Sequence, residues 1–151
     1  MNILVYRLSD QAVYSRPDTT LERESKVYYI PEEVDCLYKV PVLFVRICRA
    51  GKCIGEKFAE RYYDRLFPGV LLYAGDPASP ETIAFGSQYD KSSYIDEGDG
   101  PAPVELFPPQ RIAQALSLAT RKQSVRIGDL LAIEYDKPER VEINGQAYIS
   151  Y

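Results

Sequence analysis

The sequence of 151 residues contains no histidine. Every Ser-His-Asp arrangement is therefore excluded, and a zinc centre or a nucleophilic Cys–His pair is nearly so. The three cysteines, Cys36, Cys48 and Cys53, form no C-x-x-C motif. We expect them to be reduced, partly buried thiols, and the sequence assigns them no role.

Long apolar runs and an excess of positive charge are also missing. No stretch approaches the roughly 20 apolar residues of a membrane helix, and Arg7 and Asp10 interrupt the apolar start too early for a signal peptide. The 18 Lys and Arg residues are scattered, and the net charge is −4, whereas phosphate binding needs a basic face. We therefore expect a cytoplasmic protein that binds neither nucleic acid nor a membrane.

The length fits about one domain, residues 1–151. The predicted segments are mostly strands, with two helices, and this balance indicates a strand-rich α+β fold. The central prediction is a long strand over Tyr38–Ile47, with Pro41 marking an edge, a bulge or a break. A hairpin is predicted across Asn144-Gly145. The other predicted strand segments are 2–6, 26–30, 70–74 and 81–85, and residues 124–135 are predicted to form a strand, a turn around Gly128-Asp129 and a second strand.

Two helices are predicted. Ile54, Phe58, Tyr62 and Leu66 recur every four residues, which is typical of one apolar helix stripe, and the Pro68-Gly69 pair ends it. The second helix runs from Pro108-Pro109 to about Gln123. Its predicted buried face consists of Ile112, Ala115, Leu116 and Ala119.

The segment from Ser87 to Pro103 is predicted to be a solvated loop. Its acids do not have the spacing of a calcium loop. Glu32, Glu33 and Asp35 are also acidic, and an exposed turn is the simpler interpretation of them.

Four segments carry a family resemblance. The run GEKFAERYYDRLFPGVLLYAGD from Gly55 to Asp76 resembles the helix–strand unit of the fumarylacetoacetate hydrolase family. Arg16–Leu21, Cys36–Ile47 and Leu106–Leu131 resemble further segments of that family in the same order. The resemblance implies a truncated, divergent homologue of the family's catalytic C-terminal domain, with a mixed β-sheet roll and two main helices.

The resemblance also implies a chemistry. Enzymes of this family cleave carbon–carbon bonds in β-diketo acids, or isomerise or decarboxylate related oxo acids. They use Mg²⁺, Mn²⁺ or Ca²⁺ held by carboxylates, since hard cations need oxygen ligands. The matching metal positions here hold Lys39, Pro41 and Leu71, and Gly75 stands at the arginine of the family's Thr-Ala-Arg-Asp motif.

Neither the family's early histidine segment nor its Gly-Thr-Pro-x-Gly loop is found. We therefore expect no metal and no other cofactor. The leading hypothesis is a pseudoenzyme that acts as a binding or assembly module.

The alternative is a divergent hydrolase, isomerase or decarboxylase of a small oxo acid. Its candidate cleft residues are Lys39, Tyr73, Asp76 and Lys91. A buried lysine with a lowered pKa could form a Schiff base with a keto acid, although a surface lysine at a strand edge is the simpler interpretation of Lys39.

Thirteen tyrosines open a third hypothesis. Tyrosine is enriched at protein interfaces, and it also fills strand and core positions. We expect self-association as a homodimer, or a protein partner.

Overall fold

The computed structural model describes residues 1–98 and 107–151, and most of its regular structure is β-strand. The helices α1 and α2 cover Pro80–Phe85 and Pro109–Thr120. The strands are β1 Asn2–Arg7, β2 Val13–Pro17, β3 Leu21–Glu22, β4 Val27–Tyr29, β5 Leu37–Ile47, β6 Tyr63–Tyr73, β7 Ser93–Ile95, β8 Leu130–Glu134, β9 Glu139–Val141 and β10 Gln146–Tyr148.

One mixed sheet organises the fold. Its strand order is β2-β1-β8-β5-β6-β7-β3, and β9 also pairs with β5. The β1–β8 and β3–β7 pairs are parallel, while the others in this sheet are antiparallel. The strands β4 and β10 form a separate antiparallel pair. The predicted strand-rich α+β class and mixed-sheet roll are thus confirmed.

The longest strand pair, β5 and β6, forms the centre of the sheet. Gly69 of β6 lies against the Phe44 ring, where an added Cβ would lie 2.1 Å from Phe44 Cε2, so this position requires glycine. Strand β9 pairs with β5 as far as Lys39, and β8 pairs with β5 from Val42 onward. Pro41 lies in the gap between these two neighbouring strands. A proline is tolerated there because the neighbouring strand is interrupted.

The outer face of the sheet packs under α2, and we call this cluster the outer core. The predicted buried face of α2 is confirmed, since Ile112, Ala115, Leu116 and Ala119 are each 1% exposed or less. Burial of this apolar stripe stabilises the helix on the sheet. The buried strand residues packed in this cluster are Leu4, Tyr6, Leu43, Val45, Ile47, Leu131 and Ile133.

The opposite face forms the roll interior. It contains Ile3 and Val5 of β1, Val40, Val42 and Phe44 of β5, Leu71 and Tyr73 of β6, and Leu130 and Ala132 of β8. Alternation along each strand therefore decides which residues enter the roll.

Asp129 fixes the start of β8 beside β1. Its Oδ1 accepts a hydrogen bond from the Asn2 backbone nitrogen at 2.9 Å, and its Oδ2 accepts one from the Arg126 nitrogen at 2.8 Å. The two strands then run in parallel register from Ile3 opposite Leu130. This register determines which residues meet at the far end of the pair.

The first predicted helix is wrong in most of its length. Only Glu56–Arg61 is helical, as a 3-10 helix, and Phe58 of the predicted stripe is 40% exposed. From Tyr63 onward the chain is strand, because pairing with β5 outweighs the local helical pattern. Arg46 and Asp64 reinforce that pairing with two hydrogen bonds of 2.9 and 2.7 Å.

Three shorter predictions also need correction. The predicted strand at 81–85 is α1, which begins at Pro80. The Asn144-Gly145 turn is present, with Gly145 at φ +91°, but the strands on either side do not pair, since β9 joins β5 and β10 joins β4. The predicted loop at 87–103 contains β7, and its residues from 99 onward lie outside the described part.

Two further findings concern the surface and the thiols. All three cysteines are free; Cys36 and Cys48 are half-buried, while Cys53 is exposed. Glu32, Glu33 and Asp35 are exposed, as expected for an acidic turn. No helix in the two described ranges is long and apolar enough to cross a membrane.

Candidate functional site

A cleft of about 760 Å³ opens at the ends of β1 and β8. This volume lies in the range of small-molecule sites, about 300–1,000 Å³. The cleft is bounded by the turn after β1, the start of β5, the loop after β6 and the segment after β8. Its lining residues are Arg7, Leu8, Ser9, Asp10, Tyr38, Asp76, Pro77, Ala78, Glu134, Tyr135, Asp136, Lys137 and Pro138.

An ion pair forms one wall of the cleft. The parallel register places Arg7 directly beside Glu134, and Arg7 Nε donates to Glu134 Oε2 at 3.0 Å. Arg7 Nη1 donates to Asp10 Oδ2 at 3.3 Å, whereas the buried Nη2 finds no hydrogen-bond partner among the described residues. Burial alone would lower the pKa of Arg7, but Glu134 outweighs it and the pKa lies above its ordinary value.

Two tyrosines continue this ion pair into the roll interior. Tyr73 donates its hydroxyl hydrogen to Glu134 Oε1, and Tyr14 donates to the Tyr73 hydroxyl oxygen. Burial raises the pKa of Tyr73 well above its ordinary value, and the neighbouring Tyr14 and Glu134 raise it further. Burial also raises the pKa of Tyr14. Both hydroxyls therefore stay protonated at neutral pH and act as hydrogen-bond donors.

Arg16 forms the inner end of the network and is completely buried. Its Nε donates to the Tyr14 hydroxyl at 3.0 Å, and its Nη2 donates to the Leu72 carbonyl at 2.8 Å. Its Nη1 lies 3.2 Å from the Ser92 carbonyl, the Ser92 hydroxyl and the Ser93 hydroxyl. Arg16 thus connects β2 with β6 and β7 across the roll, and its guanidinium stacks over Tyr73 at 4.6 Å.

These five residues form one directed hydrogen-bond network, which we call the interior network: Arg16, Tyr14, Tyr73, Glu134 and Arg7. Donation runs from Arg16 through both tyrosines to Glu134, and Arg7 donates to Glu134 from the other side. Among the described residues, Arg16 forms no ion pair with a carboxylate, so hydroxyl and carbonyl oxygens solvate its charge.

The structure brings together only part of the candidate set from the sequence. Tyr73 contacts Glu134 behind the cleft wall, and Asp76 lines the cleft, where its Oδ1 accepts from the Ala78 nitrogen at 2.9 Å. The two lysines lie elsewhere. Lys39 Nζ pairs with Glu139 at 3.7 Å. Lys91 Nζ pairs with Glu22 at 3.2 Å beside a separate cavity of about 280 Å³.

The positions matched to the family's metal ligands do not converge. Lys39 lies opposite Leu72, and Pro41 lies opposite Val70. Leu71 lies opposite Val40, and both of these face the roll interior. Lys39 and Pro41 therefore occupy the other face of β5, so they cannot share a site with Leu71.

The residues on either face do not fit a hard divalent cation. Val40 and Leu71 offer no ligand on the interior face, and Lys39, Pro41 and Leu72 offer none on the other. Within residues 1–98 and 107–151, no group of three or more acidic, histidine or cysteine side chains is arranged to hold a metal.

The sequence prediction of the site missed Arg7, Tyr14, Arg16 and Glu134. A signal for two of them was present. The apolar run at 2–6 ends in Arg7, and the apolar run at 130–133 ends in Glu134. Opposite charges at the ends of two buried strands indicate an ion pair if the strands are neighbours, and that adjacency requires the fold.

Comparison with known proteins gives a match in structure alone. No protein-family model and no curated protein matches the chain. The structure of 5-carboxymethyl-2-hydroxymuconate delta-isomerase from Mycobacterium smegmatis superposes with a TM-score of 0.77 at 11% identity, over 96% of this chain and 71% of that one. Fumarylpyruvate hydrolase from Pseudomonas aeruginosa, in complex with Mn²⁺ and pyruvate, gives 0.75 at 14%, over 97% and 82%.

A further match is to a Yersinia pestis CO92 protein described as belonging to the fumarylacetoacetate hydrolase family. It superposes with a TM-score of 0.70 at 14% identity, over 99% of this chain and 83% of that one. Identities this low establish the fold and not the activity. The chain therefore has the mixed-sheet roll of fumarylacetoacetate hydrolase family proteins.

Proposed function

We propose that this chain is a divergent fumarylacetoacetate hydrolase homologue that binds a small molecule in its cleft without metal-dependent catalysis. One observation carries the proposal. The positions that match the family's metal ligands, and their neighbours on both faces of the β5–β6 pair, supply no carboxylate oxygen. These residues are Val40 and Leu71 on the interior face, and Lys39, Pro41 and Leu72 on the other. A hard cation would lack the ligands that polarise a keto–enolate substrate.

The cleft itself supports a binding role. It remains large enough for a small molecule, and its wall presents Arg7 and Glu134 in fixed positions. These two side chains are 13% and 2% exposed, and each is held by partners on other parts of the fold. Rigid, buried polar groups of this kind orient a ligand at low entropic cost.

A turnover experiment tests the absence of metal-dependent catalysis. The full chain is incubated with oxaloacetate and, separately, with pyruvate, with and without Mn²⁺, while one-dimensional NMR follows the small molecules. We expect no conversion above a protein-free control. Conversion by the wild type that is lost in Tyr73→Phe would contradict the proposal and favour the alternative below.

The alternative is a divergent hydrolase, isomerase or decarboxylase of a small oxo acid. The observation in its favour is the buried Tyr73–Glu134 pair behind the cleft wall, which could place a proton donor near a ligand. A mechanism in which a lysine forms a Schiff base with the keto acid is tested by borohydride trapping with pyruvate. An adduct at Lys39 or Lys91 would support it, and the absence of any adduct would remove it.

Self-association remains a separate proposal. Tyr29 and Tyr148 are 70% and 75% exposed on the β4–β10 pair, and exposed tyrosine is typical of interfaces. Sedimentation of the full chain at high micromolar concentration tests this. A homodimer is expected, and a monomer would contradict it.

A further inference from the structure

We propose that the cleft selects an uncharged ligand group that both donates and accepts hydrogen bonds, such as a primary amide, over a carboxylate. This inference rests on the proposed binding role of the cleft and adds the class of ligand. It assigns the selectivity to Glu134 and Arg7, which the sequence did not indicate as site residues.

A hydrogen-bond acceptor and a hydrogen-bond donor, Glu134 and Arg7, lie side by side at the cleft wall. Each Glu134 oxygen accepts one hydrogen bond within the fold, from Tyr73 or from Arg7. A carboxylate oxygen has two lone-pair directions, so Glu134 can accept further hydrogen bonds. Arg7 Nη2 is buried and lacks an acceptor among the described residues, and buried donors are nearly always paired. Because Nη2 has no accessible surface of its own, the Arg7 side chain has to shift toward the ligand for this contact to form. A primary amide then supplies both missing partners: its N–H donates to Glu134 and its carbonyl oxygen accepts from Nη2.

The charge of the cleft also disfavours an anionic ligand. The cleft is lined by four carboxylates, those of Asp10, Asp76, Glu134 and Asp136, and by the cations Arg7 and Lys137. Arg7 is already engaged by Glu134 and Asp10. A carboxylate ligand would therefore enter a cleft with an excess of negative charge. It would also lie next to the buried Glu134 carboxylate, to which it can donate no hydrogen bond.

Burial makes this repulsion effective. Glu134 is 3% exposed, and charges are screened less in such a setting than at the surface. A binding site discriminates strongly against a ligand that leaves one of its buried polar groups without a partner or places a like charge beside it. The cleft thus differs in ligand class from the Pseudomonas aeruginosa neighbour, whose structure contains Mn²⁺ and pyruvate.

The test uses pyruvate and pyruvamide, which differ at the carboxylate. Dissociation constants are measured at pH 7 by two-dimensional NMR titration of the ¹⁵N-labelled full chain. We expect pyruvamide to bind about tenfold tighter than pyruvate or better, which corresponds to about 1.4 kcal/mol. Higher salt should reduce the difference, because salt screens the repulsion.

Two variants locate the effect. Glu134→Gln removes the charge. Its amide oxygen can accept from Arg7, and its amide N–H can donate to the Tyr73 hydroxyl oxygen. Pyruvate should therefore bind about tenfold tighter than in the wild type, while pyruvamide changes by about threefold or less. The control Glu139→Gln removes one charge at an exposed residue outside the cleft, and should change neither constant. The double variant Asp76→Asn, Asp136→Asn alters only exposed residues and gives a second reading if Glu134→Gln fails to fold: pyruvate binding should again improve relative to pyruvamide.

The outcomes separate the two proposals. Pyruvate binding as tightly as pyruvamide in the wild type, or no gain for pyruvate in both cleft variants, would overturn the selectivity while leaving the binding role intact. Binding of neither probe by the wild type or by any variant would overturn the binding role itself.

Discussion

The roll interior and the outer core are built from opposite faces of the same strands, yet their chemistry differs. On β8, Leu131 and Ile133 face the outer core under α2, while Ala132 and Glu134 alternate with them on the interior side. In the described part of the chain, the strand side chains buried in the outer core are apolar, apart from that of Tyr6. The interior encloses the guanidinium of Arg16 and a chain of hydroxyl groups. The same strands therefore carry apolar packing on one face and a polar hydrogen-bond network on the other.

The difference matters because the two faces respond differently to change. An apolar cluster loses stability in proportion to the volume removed. A buried polar network fails when one member is lost, since the remaining groups keep their desolvation penalty without a partner. Variants on the two faces should therefore separate stability from ligand selectivity.

The largest effect is expected for Arg16→Leu. The change would leave the Leu72 and Ser92 carbonyls and the Tyr14 hydroxyl without their buried donor, and each such loss costs about 1–3 kcal/mol. We expect the free energy of unfolding to fall by about 4 kcal/mol, measured by urea denaturation. Arg16→Lys keeps the charge without the planar fork and should lose less. A loss below about 1 kcal/mol for Arg16→Leu would show that the network is not structural.

On the other face, Leu116→Ala should cost about 3 kcal/mol. Leu116 is fully buried in the outer core, and the change leaves a cavity under α2. The ratio of the pyruvate and pyruvamide dissociation constants should stay at its wild-type value, because the cleft is not touched. A changed ratio would mean that the two faces are coupled.

A smaller effect is expected for Tyr73→Phe. The phenyl ring keeps the packing, but Glu134 loses a donor and Tyr14 loses its acceptor. We expect a loss of about 1.5 kcal/mol in the free energy of unfolding. The matched control is Tyr63→Phe, whose hydroxyl makes no side-chain hydrogen bond with the described residues, and it should cost less than about 0.5 kcal/mol. Equal losses for the two variants would contradict the network.

Between pH 7 and pH 12 (about neutral to two units above the ordinary tyrosine value), the free energy of unfolding should depend on pH only on the alkaline side. Burial raises the pKa of Tyr28 from its ordinary value of 10.0 to about 12, and it raises that of Tyr73 well above 10.0. A raised tyrosine pKa stabilises the fold fully below pH 10.0, and this stabilisation is lost as the pH rises toward the folded value. Urea denaturation between pH 8 and pH 12 (about two units on either side of the ordinary value) should show the free energy of unfolding falling only above about pH 10. A fall that begins near pH 8 would contradict this assignment.

The sequence predicted the parts of the fold that depend on local pattern. The helix side of the outer core could be predicted in this way, because the spacing of Ile112, Ala115, Leu116 and Ala119 indicates one buried helix face. The long strand β5 and the Asn144-Gly145 turn were predicted for similar reasons. The helix at 54–66 failed because strand pairing between distant segments outweighed a local period.

The interior network was beyond local reasoning. Arg7 and Glu134 are 127 residues apart in sequence, and Tyr14 and Tyr73 are 59 apart. Their contact depends on the parallel register of β1 with β8 and on the curl that brings β2 against β6. Only the strand register shows that Leu71 shares a face of the sheet with Val40 and not with Lys39.

Calorimetric titration of Mn²⁺ into the full chain at neutral pH tests the central claim most directly. We predict no saturable heat in the micromolar range, because neither face of the β5–β6 pair supplies carboxylate ligands and no group of three or more acidic side chains among the described residues is arranged to hold a metal. Saturable micromolar binding that Asp76→Asn or Glu134→Gln abolishes would contradict it, because it would place a working metal site in the cleft.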